Sequence, residues 1–222
     1  MLYEETRRAV CETARRMMRD GLVKLTSGNI SSRIPGTDYI AITPSGMDYE
    51  TMLPEDITVV DLEGRVIDGA RRPSTETPMH RLTYLSRPDV GAVVHTHSIY
   101  ASAFACLGTD MPVISTELAM VVGSTIRCAP YAKSGTEEMA QTAVAALGAE
   151  DLVVFLQNHG VLAVGRNLRE AYNTAVALEE AAMIYYLARQ MGTPIVIPAE
   201  ERDRMFREFR RAYGQPRGQG ES

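Results

Sequence analysis

The run from Val90 to His97, Val-Gly-Ala-Val-Val-His-Thr-His, constrains this chain more than any other stretch. Its small and β-branched residues read as a buried strand, where side chains two apart share a face. His95 and His97 therefore project together. Two neutral imidazoles side by side in an apolar setting are costly unless something binds them, and a divalent cation is the usual reason for such a pair. Glu76, in Ser74-Thr75-Glu76, offers a carboxylate. His159, in Asn158-His159-Gly160 beyond a second apolar run at 152–156, offers a third imidazole. Such a donor set suits Zn2+, with Mn2+ or Co2+ as alternatives. The competing reading is a pair of satisfied core histidines, and the Asn-His-Gly junction favours the metal. His80, one turn beyond Glu76, is assigned to helix packing.

A chain of 222 residues with 45% hydrophobic content can bury a sizeable core. We expect one domain over residues 1–214, with 215–222 as a flexible tail. The net charge of -5 gives no basic footprint for nucleic acid or an anionic membrane, so any anionic substrate must be captured locally. Cys11, Cys106 and Cys128 are odd in number and lack CxxC spacing, which points to reduced thiols. With no signal peptide and no membrane-spanning apolar run, the expected location is the cytoplasm.

Along the chain, residues 3–20 read as an amphipathic helix, with Thr6, Val10, Ala14, Met17 and Met18 on one stripe and arginines opposite. Two polar turns follow, one at 25–31 containing Gly28 and Asn29 and one at 43–46 containing Ser45 and Gly46. Each combines a glycine with hydroxyl or amide donors, as phosphate-binding nests do, and ordinary turns share that composition. Residues 57–61 and 65–68 suggest a hairpin. Ser74 and Thr75 then stand at the positive end of a helix running to 87, where an anion is stabilised, with Met79, Leu82 and Leu85 as its apolar face. Further helices are expected at 99–107, 135–147, 168–191 and 198–211, a short one after 116, and strands at 39–42, 125–129, 152–156 and 161–164. Hairpins alternating with helices suggest a mixed sheet covered on both faces.

The stretch 26–31, the Thr-Pro-Ser-Gly turn at 43–46, Pro73-Ser74-Thr75-Glu76, His95-Thr96-His97 and Asn158-His159-Gly160, in this order and spacing, resemble the class II aldolase/adducin family. The resemblance runs from the first helix to Tyr213. It implies a three-layer α/β/α fold around a mixed, largely antiparallel sheet, and a homotetramer with its active site at a subunit interface. Residue by residue it makes His95, His97, His159 and Glu76 the metal ligands, with Glu76 also the acid/base. Gly28, Asn29, Ser45, Gly46, Ser74 and Thr75 fall on the phosphate-binding positions.

The implied substrate is a small sugar phosphate and the implied reaction a metal-dependent cleavage of a ketose 1-phosphate, L-fuculose 1-phosphate or a related deoxy- or ribulose 1-phosphate, to dihydroxyacetone phosphate and an aldehyde. Thr116 stands where the fuculose enzymes carry a tyrosine acid, and Ala119 where the family's ribulose-5-phosphate 4-epimerases carry an aspartate. Glu117 is the nearby ionisable group, as in methylthioribulose-phosphate dehydratases, and Tyr213 resembles the C-terminal tyrosine of the aldolases and epimerases. The order of expectation is aldolase, then 4-epimerase, then dehydratase. A non-catalytic module like the adducin heads is the reading from a different class, and the complete ligand set argues against it.

Overall fold

The computed structural model describes residues 1–212. Its strands are β1 (Asn29–Arg33), β2 (Tyr39–Ile42), β3 (Thr58–Asp61), β4 (Val66–Asp68), β5 (Ala92–Thr96), β6 (Arg127–Ala129), β7 (Val153–Leu156) and β8 (Gly160–Gly165). The helices are α1 (Glu4–Arg19), α2 (Thr77–Ser86), α3 (Ile99–Leu107), α4 (Thr116–Val121), α5 (Glu137–Leu147), α6 (Leu168–Met191) and α7 (Ala199–Ala212). The strands form one eight-stranded sheet in the order β4-β3-β2-β1-β5-β8-β7-β6. Only the β6–β7 pair is parallel. The expected mixed, largely antiparallel sheet is thus observed.

The period-two pattern of the strands sorts the core into two layers. Ala41, Val59, Ala92, Val94, Phe155 and Ala163 face α1, α3, α4 and α6, while Ile40, Ile42, Val60, Val93, Val154, Leu162 and Val164 face α2 and α5. Because both faces are covered, β5, β7 and β8 are buried throughout, which is why they read as continuous apolar runs. His95 is two residues from Val93 and so lies on the α2/α5 side. The N-terminus of α2 brings Glu76 to that same side.

Three local expectations change. The buried side of α2 is Thr77, Met79, His80, Thr83 and Tyr84, whereas Leu85 is 53% exposed. The helix has turned a polar histidine and a tyrosine inward, and the outward rotation of Leu85 follows from the 3.6-residue period. Arg7 is not on the solvent side of α1. It is buried, donates to the Ile57 carbonyl at 2.6 Å and pairs with Asp68, which ties α1 to the outer hairpin. The strand expected at 125–129 is only Arg127–Ala129, with Ile126 forming an isolated bridge to Met111.

Gly28 is needed for the approach of the first polar turn to β5. Its φ is +73°, and a Cβ there would lie 2.7 Å from the His95 carbonyl oxygen and 2.5 Å from Val23 Cγ1. Gly28→Ala should therefore cost about 1–3 kcal/mol by forcing the turn away from β5. Thermal unfolding checks this, and an unchanged Tm would contradict the packing described.

Candidate metal and phosphate site

β5 pairs with β1 on one side and β8 on the other, with Asn29 and Leu162 opposite His95. The ends of these three central strands, together with the segment entering α2, supply the site. His95 is the last but one residue of β5, and His97 follows its end. His159 sits in the three-residue connection from β7 to β8, where Leu156 pairs with Gly160 and Asn158 takes a left-handed φ of +57°. Asparagine tolerates that conformation better than most residues, so Asn158 lets a tight loop aim the next side chain back over β5. Gly160 completes the approach, since a Cβ there would lie 2.3 Å from the Thr96 carbonyl oxygen and 3.3 Å from His95 Cε1.

The three imidazoles form a nearly equilateral triangle with ring centroids 4.8, 4.8 and 4.9 Å apart. One nitrogen from each lies within 4.8 Å of the others. The Glu76 carboxylate faces them, its Oε2 3.1 Å from His95 Nε2 and its Oε1 3.2 Å from His159 Nε2. His95 Nδ1 lies 2.7 Å from the Val161 carbonyl oxygen, which can only accept, so Nδ1 carries a proton. In the neutral ring Nε2 is then a bare lone pair aimed at a carboxylate and 2.9 Å from His97 Nε2. A cation is what such a convergence of lone pairs accommodates, and an N3O set fits Zn2+ or a neighbouring divalent ion.

Electrostatics bears on the same set. Burial pushes the His97 pKa down to about 3, helped by His95 and His159, so this ring stays neutral and available as a ligand. Burial would raise the pKa of Glu76, but a positive charge at the His95 Nε2 side, as a proton or a cation there supplies, and hydrogen bonds from His159 and Ser134 outweigh it and hold the carboxyl well below its ordinary range. Burial would lower His95, and the facing Glu76 carboxylate reverses the sign. Glu76 has φ -96° and ψ 13°, in the sparsely populated bridge region where active-site residues recur.

One pocket is lined by Gly28, Asn29, Ser45, Gly46, Ser74, Thr75, Glu76, His97 and His159, together with Thr26, Ser27, Pro44 and Ser134. His95 lies fully buried behind it. The two segments expected to cradle an anion are stitched together, with Ser45 N–H donating to the Arg72 carbonyl at 2.9 Å and Ser74 N–H to Thr43 at 3.1 Å. Among the described residues the lining carries hydroxyls and glycines but no lysine or arginine, so these residues would hold an anion by dipoles and by whatever charge the imidazole cluster binds.

Not every expected residue joins this pocket. Glu117 is exposed in the first turn of α4, accepts a hydrogen bond from Thr116 at 3.1 Å and is absent from the lining. Tyr213 and residues 215–222 lie outside the described residues. Two residues gain importance. Ser134, in the loop before α5, donates to Glu76 Oε1 at 2.6 Å, and nothing in its sequence surroundings distinguishes it from an ordinary turn serine. His80, assigned from sequence to helix packing, is fully buried and hydrogen-bonded at both ring nitrogens, to Ser31 and to Asn29. Asn29 in turn donates to Glu76 Oε2 at 2.7 Å, leaving one amide N–H for a bound anion.

Residues 8–186 match the Class II Aldolase and Adducin N-terminal domain family. The chain is 38% identical over 215 residues to a 5-deoxy-D-ribulose 1-phosphate aldolase of Bacillus thuringiensis serovar kurstaki, covering 97% of this chain and all of that protein. It is 39% identical to a 5-methylthioribulose-1-phosphate/5-deoxyribulose-1-phosphate aldolase of Rhodospirillum rubrum, covering 94% and 92% of the two chains. Among solved structures, an L-fuculose 1-phosphate aldolase superposes with a TM-score of 0.89 at 37% identity, over 93% of this chain and 96% of that one. With its imidazole triangle, its facing carboxylate and this near full-length likeness, the chain belongs to the class II aldolase/adducin family.

Proposed function

We propose that the chain is a metal-dependent aldolase that reversibly cleaves a ketose 1-phosphate into dihydroxyacetone phosphate and an aldehyde. The observation that carries this reading is the meeting, in one pocket, of the cluster His95, His97, His159 and Glu76 with the hydroxyl- and glycine-rich turns around Gly28, Ser45, Gly46, Ser74 and Thr75. The first would hold a divalent ion, for which Zn2+ is our choice. The second would hold the phosphate. The relatives' names favour a 5-deoxypentulose 1-phosphate as the substrate to try first.

When bound, the metal supplies Lewis-acid charge that polarises the ketose carbonyl and stabilises negative charge on its oxygen. The phosphate turns fix the three-carbon end, so the bond between the third and fourth carbons lies beyond the anchored unit. Breaking it leaves its electron pair on the three-carbon fragment and converts the fourth carbon's hydroxyl into the aldehyde, with loss of the hydroxyl proton. Glu76, ionised and directed at the pocket, delivers and removes the proton at the third carbon. Tyr213 and Glu117 are our candidates for the group that takes the hydroxyl proton. In our reading Glu117 comes to this site from the neighbouring subunit of a homotetramer, since it does not line the pocket of its own chain. Half-exposed apolar side chains along α6, including Ile184, Tyr186 and Leu187, give such an assembly a surface to cover. The three free cysteines support a cytoplasmic location.

Incubation of the metal-loaded protein with 5-deoxyribulose 1-phosphate should release dihydroxyacetone phosphate and acetaldehyde, followed by NMR, and prior chelation should abolish release. Epimerisation of L-ribulose 5-phosphate without cleavage of any ketose 1-phosphate would contradict the proposal. His95→Ala should lose metal and turnover together, by metal analysis and assay of one preparation, and an active metal-free variant would contradict the ligand assignment. Glu76→Gln should keep the fold yet lose exchange of the carbon-bound proton of dihydroxyacetone phosphate by about 100-fold or more. Undiminished exchange would remove Glu76 from the acid/base role.

A further inference from the structure

Behind Glu76 lies a chain of buried polar side chains that the proposed reaction does not use directly. Asn29 Nδ2 donates to Glu76 Oε2 at 2.7 Å, and Asn29 Oδ1 lies 2.6 Å from His80 Nε2. His80 Nδ1 lies 2.6 Å from Ser31 Oγ, which lies 2.8 Å from the Tyr84 hydroxyl. Ser31, His80 and Tyr84 are no more than 1% exposed and Asn29 is 5% exposed, so water offers them no alternative partners.

The chemistry of each group fixes the direction of every bond. An ionised carboxylate only accepts, so Asn29 must present its NH2 to Glu76 and its oxygen to His80. That oxygen also only accepts, and full burial keeps the His80 ring neutral, so its one N–H proton sits on Nε2. Its Nδ1 is then a lone pair and must receive the Ser31 hydroxyl, whose oxygen receives the Tyr84 hydroxyl. Donors therefore point the same way along the whole chain, from α2 through β1 back to the N-terminus of α2. Flipping the Asn29 amide would set oxygen against carboxylate at one end and N–H against N–H at the other.

We propose that His80 is a positioning residue that, through Asn29, fixes which oxygen of Glu76 is held inside the protein and which is presented to the pocket. Oε2 is held by Asn29 and faces the buried His95, while Oε1, bonded to Ser134 and facing His159 in the pocket wall, is the oxygen on the substrate side. His80 is thereby distinguished from the three clustered histidines, since neither of its nitrogens faces another member of the cluster. The role rests on the reading of Glu76 as acid/base.

The test combines a spectroscopic and a kinetic readout. In the full chain with labelled histidine, 15N NMR should show His80 as the Nε2–H tautomer, and Asn29→Ala, which removes the acceptor facing Nε2, should release that preference. His80→Phe should retain metal and lower kcat about 10- to 100-fold with KM changed no more than about twofold, the size of effect typical of groups that orient a ligand. His80→Gln, whose amide can donate to Asn29, should recover most of the loss. An Nδ1–H tautomer in the unmodified chain, or equal impairment of the Gln and Phe variants, would overturn the proposal. Should His80→Phe fail to fold, the tautomer and its response to Asn29→Ala decide the matter. If the unmodified protein cleaves no ketose phosphate, the proposed function fails, and the same tautomer measurement still tests the positioning.

Discussion

A carboxylate set among three imidazoles, on the α2/α5 face of the sheet, is the arrangement on which the rest of this structure depends. Glu76 is 5% exposed and His95 wholly buried, so neither gains much from water. Their charges and lone pairs must be satisfied by one another, by the donors Ser134 and Asn29, and by a cation. Leaving such a group without its partner costs more than the bond itself contributes, about 1–3 kcal/mol for a neutral donor or acceptor and more for a charged one. This explains why the surroundings are so closely specified. Gly28 and Gly160 are positions where a single methyl group would collide with the backbone of β5.

The antiparallel order β1-β5-β8 is what turns distant sequence segments into neighbours. It places Asn29 directly across from His95 and lets the short β7–β8 connection return His159 over the same strand end. The segment before α2 is tied to the 43–46 turn by backbone hydrogen bonds, so that turn and the carboxylate are held in fixed register. With a metal on the imidazole cluster and an anion on the turns, as proposed, one frame would hold a small phosphorylated ketone at two points. Chemistry at a third point is then a matter of geometry rather than of search.

Much of this was legible in the sequence because the strands are buried on both faces and the clustered histidines sit where those runs end. Val93-Val94-His95 reads as a strand with a polar end in any context, and the glycine-hydroxyl turns carry their own chemistry. Nine of the expected residues, from Gly28 to His159, do line one pocket. What escaped the sequence depends on contacts between residues far apart in the chain. Nothing near His80 reveals that it meets Asn29, which is 51 positions away, and without that contact a lone helical histidine reads as packing. Ser134 is an ordinary turn serine until α5 brings it to Glu76. Leu85 misled for the same reason, since α2 turns inward the face that carries the polar network.

The most direct test of the central claim is X-ray absorption on protein purified without chelator and loaded with one equivalent of Zn2+. The structure predicts a single tightly held ion in an all nitrogen and oxygen shell, with the outer scattering of three imidazoles. A shell containing sulfur, or one with fewer than two imidazoles, would mean that His95, His97 and His159 do not act as one site, and the account built on their convergence would fall.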